Sequence, residues 1–175
     1  ITKLNHKKLL DDVYKRSIPN SDRANTWKKP SKRYQQFAPG TKADTSPRID
    51  TYLDTSGSIS IEEFSEFMAH NDKFIKFANK KCELNFFHTN LYHVEKYKIG
   101  KSIDPNSIRG GGTDLQEAID KIERTRPDLA IIFTDGYYSP VRQTRLPGQV
   151  LFVISEGGTE NHPLKMLGKT VKMVR

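Results

Sequence analysis

Oxygen-bearing side chains at three separated places in the chain have the types and spacing of a divalent-cation site. Asp54, Ser56 and Ser58 alternate within five residues, Thr113 follows three glycines, and Asp135 lies between a threonine and a glycine. Mg²⁺ suits such ligands because it prefers oxygen in octahedral geometry and keeps several waters. We predict that these residues bind one Mg²⁺, with Mn²⁺ or Ca²⁺ as alternative ions. Because two carboxylates supply little charge, the metal would stay electrophilic and could accept an acidic side chain of another protein.

The first ligand segment follows a predicted strand and precedes a predicted helix. Residues 49–53 form a short β-prone run, and residues 61–80 repeat apolar side chains at helical spacing. Ser60 and Glu63 fit a capping box, in which each side chain bonds the backbone N–H of the other residue. We therefore predict a strand, a ligand-bearing loop and a helix, in that order.

Similar patterns surround the other two ligand positions. Leu129–Phe133 is a continuous apolar run, typical of a strand buried on both faces, and Asp135 follows it closely. Apolar residues recur at helical spacing after Thr113, and Asp114 with Glu117 can cap that helix. Each candidate ligand therefore lies at the end of a predicted element.

Further patterns complete an α/β architecture. Residues 84–99 contain two short β-prone runs, which predict a hairpin at the edge of the sheet. Residues 150–154 predict another strand, and the 13 residues from 136 to 148 leave room for only a short helix before it. A helix near residues 164–167 and a strand at 171–174 are predicted to close the chain.

Strands that alternate with helices predict a doubly wound, mostly parallel sheet with helices on both faces. Ligands of such sheets bind at the carboxyl ends of the strands, at the point where the strand order reverses. Asp54 and Asp135 each follow a predicted strand, and Thr113 precedes a helix. These residues converge on one crevice if the two strands flank the reversal.

The positive charge belongs to the N-terminal part of the chain. The net charge is +8, and residues 1–48 hold 12 Lys and Arg against 4 Asp and Glu, whereas residues 49–175 hold 17 of each. We therefore divide the chain into a basic arm, residues 1–47, and a neutral domain, residues 48–175.

The arm is predicted to be partly helical, over residues 4–18, and to pack on the domain or to belong to an upstream region. Residues 19–47 are predicted as an extended segment rather than a packed unit. Aromatic side chains could anchor it to the domain or stack nucleotide bases among the lysines. These residues are Trp27, Tyr34 and Phe37. We favour anchoring and do not expect a nucleic-acid partner, because a globular nucleic-acid binder carries basic residues on the fold itself.

Composition also bears on location. No run approaches the roughly 18–20 apolar residues of a membrane-spanning helix, and the first ten residues are too polar for a signal peptide. Cys82 is the single cysteine, so an internal disulfide is impossible and a cytoplasmic location is expected. Because the chain begins with Ile1 rather than Met, we expect it to be part of a longer protein.

The motif Asp54-x-Ser56-x-Ser58, followed by Thr113 and by Asp135 within Thr-Asp-Gly, resembles a known metal site. It is similar to the metal-ion-dependent adhesion site (MIDAS) of von Willebrand factor type A (VWA) domains. The resemblance implies a six-stranded Rossmann-like sheet of order 3-2-1-4-5-6 with the third strand antiparallel. It also implies a protein–protein interaction module that docks an acidic surface of its partner on Mg²⁺.

More narrowly, the run Trp27–Tyr34 ahead of the aspartate motif resembles bacterial VWA-like domains that follow a metallopeptidase-like region. Those domains are often linked with MoxR-type AAA ATPases, which the resemblance implies as a partner. The resemblance to VWA domains in general covers about residues 48–175. The short connection from 136 to 148 departs from the family pattern and would alter the rim of the binding face.

Two other functions compete with this prediction. One is nucleic-acid binding through the arm, and the other is a metal-assisted hydrolase or metallopeptidase component. A hydrolase would need a base near a metal-bound water. His88 is the candidate near the same strand ends, although we favour a polar rim or hairpin role for it. No His-Glu-x-x-His motif occurs in the chain. We therefore predict no catalytic residues, no nucleotide cofactor and no enzymatic activity.

Overall fold

The structure is a computed structural model, and residues 23–30 and 39–43 are described by their backbone only. The ranges that the structure describes are 23–30, 39–43, 48–78, 82–94, 97, 99–100, 103–104, 110–142, 144–146, 148–159 and 162–173. Within these ranges the strands are β1 (Arg23–Pro30), β2 (Pro39–Ala43), β3 (Ile49–Asp54), β4 (Cys82–Phe87), β5 (Leu91–Val94), β6 (Leu129–Thr134), β7 (Gln149–Ile154) and β8 (Lys169–Lys172). The helices are α1 (Ile61–Ala78), α2 (Leu115–Thr125) and α3 (His162–Leu167).

Six strands form one sheet in the order β5-β4-β3-β6-β7-β8. Only β5 runs antiparallel to its neighbour among these pairs. Counted within the sheet, this order is 3-2-1-4-5-6 with the third strand antiparallel, so the predicted topology is confirmed. Because β3 pairs with β4 on one side and with β6 on the other, the strand order reverses between β3 and β6. A crevice for ligands is expected at that point.

Both faces of the sheet are covered by apolar side chains. Every residue of β3 and β6 is buried, as expected for central parallel strands between two helical layers. On one face, Leu53 and Phe133 belong to the same core as Phe67 of α1. The ring centroids of Phe67 and Phe133 lie 5.5 Å apart. On the other face, Tyr52 packs in a core with Ile119 of α2. The helices therefore hold the central strands from opposite sides.

Local capping interactions define where the helices begin. The predicted capping box is confirmed at α1, where Ser60 N–H donates to Glu63 Oε2 at 3.0 Å and Glu63 N–H donates to Ser60 Oγ at 3.1 Å. At α2, Asp114 Oδ1 accepts from Gln116 N–H at 2.9 Å, as its N-cap position requires. The second half of that prediction was wrong, because Glu117 Oε2 accepts from Leu91 N–H at 2.7 Å instead. This bond ties α2 to the edge strand β5.

Several boundaries differ from the predicted ones. Residues 19–47 contain β1 and β2, which pair as an antiparallel ribbon, so the prediction of an extended segment missed this pairing. The predicted edge strand was too long, because β5 ends at Val94. No helix occurs among the described residues of 136–148, in agreement with the small room available there. The predicted helix at residues 4–18 lies outside the described residues.

None of the described helices combines the length and apolar content that crossing a membrane requires.

Candidate metal centre

Asp54 occupies the centre of the candidate site, at the carboxyl end of β3. Its side chain is fully buried. One carboxylate oxygen accepts from Ser56 N–H at 2.9 Å, and the other accepts from the Thr134 hydroxyl at 2.8 Å. The second bond spans β3 and β6, the two strands at which the order reverses. The orientation of the Asp54 carboxylate is therefore set from both sides of the crevice.

The two serines of the motif lie beside each other above Asp54. Their hydroxyl oxygens are 3.0 Å apart, and Ile59 N–H donates to the Ser56 carbonyl at 3.1 Å, which closes a tight turn. Ser56 is buried, whereas Ser58 is exposed. The hydroxyl pair therefore runs from the floor of the crevice toward solvent.

Asp135 reaches the same crevice from the end of β6. It is 4% exposed, and its Oδ1 accepts from Tyr137 N–H at 3.0 Å. Its carbonyl accepts from Thr159 N–H at 2.8 Å, which joins the loop after β6 to the loop after β7. The charge of Asp135 raises the pKa of Asp54, so the two carboxylates are near enough to interact.

Thr113 is positioned by the backbone of its segment. Gly110 N–H donates to the Thr55 carbonyl at 3.0 Å, and Asp114 N–H donates to the His88 carbonyl at 2.6 Å. The Thr113 carbonyl itself accepts from Ser139 N–H at 3.2 Å. These bonds hold the segment between the ends of β3 and β4 and the loop that follows Asp135. Asp54, Ser56, Ser58 and Asp135 are joined by direct contacts or by charge, and Thr113 shares their edge of the sheet through its backbone.

Burial makes the charge of Asp54 costly. The pKa of this carboxyl is raised from 3.8 to about 6, and burial is the largest cause. Within that net shift, the hydrogen bonds from Ser56 and Thr134 act to lower the pKa and the Asp135 charge acts to raise it. A cation bound between the two carboxylates would offset both the burial and the mutual repulsion.

The donor set fits a hard, oxygen-preferring ion. No group of three or more His, Cys, Asp and Glu side chains that could hold a metal exists in the described part of the chain. The crevice instead combines two carboxylates with the hydroxyls of its Ser and Thr residues. A set without nitrogen or sulfur and with few charges suits Mg²⁺, which completes its octahedron with water.

His88 contributes to the wall of this edge rather than to its chemistry. Its Nδ1 accepts from Thr89 N–H at 2.6 Å, and its ring lies 5.1 Å from that of Tyr92. A Cβ added at Gly110 would lie 2.2 Å from the His88 ring. The imidazole is therefore packed beneath the segment that leads to Thr113, in agreement with the favoured rim role.

Thr134 is the site residue that the sequence reasoning missed. Besides donating to Asp54, its hydroxyl accepts from Gly136 N–H at 3.2 Å. The triplet Thr-Asp-Gly that singled out Asp135 contained this signal, because the last residue of a strand can place its side chain beside the neighbouring strand end.

An α/β domain with a polar crevice at the reversal of a mostly parallel sheet is therefore defined by the fold and the site together. The model of the family described as VWA-like domain (DUF2201) matches residues 49–173, and the chain belongs to that family.

Two individual proteins illustrate the likeness. The chain is 34% identical over 176 residues to an uncharacterized protein of Thermotoga maritima. The match covers 98% of this chain and 43% of the relative, so the chain spans less than half of that protein's length. The crystal structure of the Deinococcus radiodurans Ro (RSR) protein superposes with a TM-score of 0.53 at 11% identity. That superposition covers 74% of this chain and 31% of the Ro chain, and at such low identity it shows the fold alone.

Gly136→Ala should destabilise the loop that carries Asp135. Gly136 has a φ of 84°, and an added Cβ would lie 1.9 Å from the Thr159 carbonyl oxygen. We expect the free energy of unfolding in urea to fall by about 2 kcal/mol or more, from left-handed strain and the clash. Gly111→Ala is the matched control, since nothing lies within 4 Å of its added Cβ. Equal losses in the two variants would contradict this explanation.

Asp54→Asn should stabilise the protein in EDTA at neutral pH. The folded-state pKa of about 6 exceeds the unfolded value of 3.8, so the stabilising proton is fully bound at low pH and lost as pH rises toward 6. We expect the variant to exceed wild type by about 1–3 kcal/mol at pH 7.5, with the difference shrinking toward pH 4. Urea unfolding across this range measures it. A stability difference between the two proteins that does not change with pH would show that burial does not raise the pKa of the Asp54 carboxyl.

Proposed function

We propose that this domain binds one Mg²⁺ through Asp54, Ser56, Ser58, Thr113 and Asp135 and presents it to a carboxylate of another protein. The observation that supports the proposal is the buried Asp54 carboxylate, which accepts from Ser56 N–H and from the Thr134 hydroxyl at the reversal of the sheet. The Ser56 and Ser58 hydroxyls lie 3.0 Å apart beside it, and the charge of Asp135 acts on it. A crevice there is where an α/β sheet binds its ligand.

The residues of the chain divide the work between them. Asp54 and Asp135 provide the negative charge that attracts the ion, and they contact it directly or through water. The serine and threonine hydroxyls add neutral oxygens, which keep the charge of the site low. Mg²⁺, when bound, would supply an electrophilic centre for a partner carboxylate, and the exposed Ser58 lies on the side of the site that faces solvent.

A binding role is favoured over hydrolysis by the state of the candidate bases. The Nδ1 atom of His88 already accepts a hydrogen bond from Thr89 N–H. Asp135 Oδ1 accepts from the Tyr137 backbone. A general base must reach the proton that it removes, and both His88 Nδ1 and Asp135 Oδ1 are instead turned toward backbone N–H groups of their own loops. The family that this chain belongs to is described as VWA-like, which also favours an interaction module over an enzyme.

The proposed partner presents an acidic surface, and a MoxR-type AAA ATPase is the candidate that the resemblance in the sequence implies. Such a pairing would occur in the cytoplasm. The chain spans less than half the length of its Thermotoga maritima relative, and the proposal concerns this domain alone. Within it, the metal site would act as the docking point.

Titration calorimetry should detect one Mg²⁺ per domain. Because Asp54 and Asp135 provide the charge, Asp54→Asn and Asp135→Asn should each weaken Mg²⁺ binding about tenfold or more, and Ser56→Ala should weaken it less. Asp120→Asn is the control, since that carboxylate lies outside the crevice and faces Arg142 at 3.7 Å. The proposal fails if wild type binds no Mg²⁺, or if the control loses as much affinity as the site variants.

Biolayer interferometry against the purified MoxR-type ATPase of the same organism should detect association that depends on the metal site. All variants are compared in one Mg²⁺ buffer, since EDTA would also strip the ATPase of its nucleotide metal. At a Mg²⁺ concentration near the wild-type Kd, we expect Asp54→Asn to lose most of the binding, because most of the variant carries no ion for the partner carboxylate, and Asp120→Asn to retain it. Association that survives in Asp54→Asn but disappears when residues 1–47 are removed would assign docking to the basic arm instead.

A further inference from the structure

Two large apolar side chains are exposed within three residues of candidate ligands, one at the first residue of α1 and one on the loop after β6. Ile61 is 47% exposed and follows Ser58 by three residues, and Tyr137 is 57% exposed and follows Asp135 by two residues. We call Ile61 and Tyr137 the apolar collar. Single exposed apolar residues are common on protein surfaces. These two are singled out because each lies within three residues of a candidate ligand.

Tyr137 is fixed at both of its ends. Its backbone N–H donates to Asp135 Oδ1 at 3.0 Å, and its hydroxyl accepts from the Thr159 hydroxyl at 2.9 Å. Thr159 N–H in turn donates to the Asp135 carbonyl at 2.8 Å. These bonds close a circuit through three residues. An aromatic ring that is rigid and still exposed loses little conformational entropy when a partner covers it.

Ile61 is fixed by the start of α1. The capping box between Ser60 and Glu63 sets the first turn of the helix around it. Ile61 precedes Phe64 by three residues, a spacing that places both near one face of the helix, yet Phe64 is buried and Ile61 is not. Ile61 therefore lies outside the core, at the start of the helix that follows the Asp54–Ser58 segment.

Position along the chain separates the collar from Met166. Met166 is 60% exposed, but it lies near the end of α3, just before β8 begins. Gly168, two residues after Met166, packs against the carbonyl of Val150 near the start of β7. Met166 is therefore close to the opposite edge of the sheet and serves as a matched control.

We infer that the partner segment docking on this site carries its acidic residue next to a bulky apolar residue, which packs on Ile61 and Tyr137. This inference rests on the proposed function, because the carboxylate needs the metal. Charge complementarity directs the acidic side chain to the ion, and the collar offers apolar surface to the adjacent residue. A partner with an isolated acidic residue among polar neighbours would leave that surface in water.

Two small carboxylates of equal charge test the inference on the full chain loaded with Mn²⁺. Acetate offers the carboxylate alone, and 3-phenylpropionate adds an apolar ring. Binding is followed through the electron paramagnetic resonance spectrum of the ion and the relaxation of its bound water. We expect 3-phenylpropionate to bind about five to ten times more tightly than acetate, from the apolar area covered.

The ratio of the two affinities reports on the collar separately from the metal. We expect the ratio to fall toward one in Ile61→Ala and in Tyr137→Ala and to keep its wild-type value in Met166→Ala. A ratio near one in wild type, or a preference that persists in both collar variants, overturns the collar and leaves the proposed function standing. If Mn²⁺ does not bind, or if neither carboxylate perturbs it, the proposed function fails and the collar falls with it.

Discussion

The buried carboxylate of Asp54 is the constraint around which the rest of this edge is arranged. A carboxylate without exposure to water needs compensating donors, and the protein provides the Ser56 backbone and the Thr134 hydroxyl. Those two donors satisfy part of the acceptor capacity of the group, since a carboxylate offers roughly four lone-pair positions. The raised pKa of Asp54 reflects the part of the cost of burying its charge that these donors do not offset. A cation beside Asp54 would occupy the remaining acceptor positions of the carboxylate. The cost of burying this group and the proposed metal binding therefore have the same cause.

The buried Asp54 carboxylate lies at the end of β3, one of the two central strands of the sheet. β3 and β6 are buried along their whole length and are packed between helices on both faces. Their carboxyl ends are therefore held by the core, and the candidate ligands lie on or beside the loops that follow. The hydrogen bond between Thr159 N–H and the Asp135 carbonyl links the loop after β6 to the loop after β7.

Interactions between residues close together along the chain were predicted correctly, and those between distant residues were missed. The capping box at Ser60 and Glu63 was predicted correctly, because its partners are three residues apart. Glu117 was assigned to a similar local role, but its carboxylate bonds the backbone of Leu91, 26 residues away. The pairing of β1 with β2 was missed for a related reason, because the aromatic and basic residues of that segment have no clear alternation. Extended residues were recognised there, but their partner strand was not.

The amino-acid sequence by itself determined the kinds of element, their order and the identity of the oxygen-bearing residues at their ends. Hydrophobic periodicity and capping are properties of neighbouring residues, so they can be read without knowing the fold. Only the tertiary structure decided that Thr134 donates to Asp54 across 80 residues, and that Ile61 and Tyr137 remain exposed. Such contacts depend on which strands lie side by side and in what register. That choice is made by the packing of the whole sheet between its helices, and no short segment of the chain contains it.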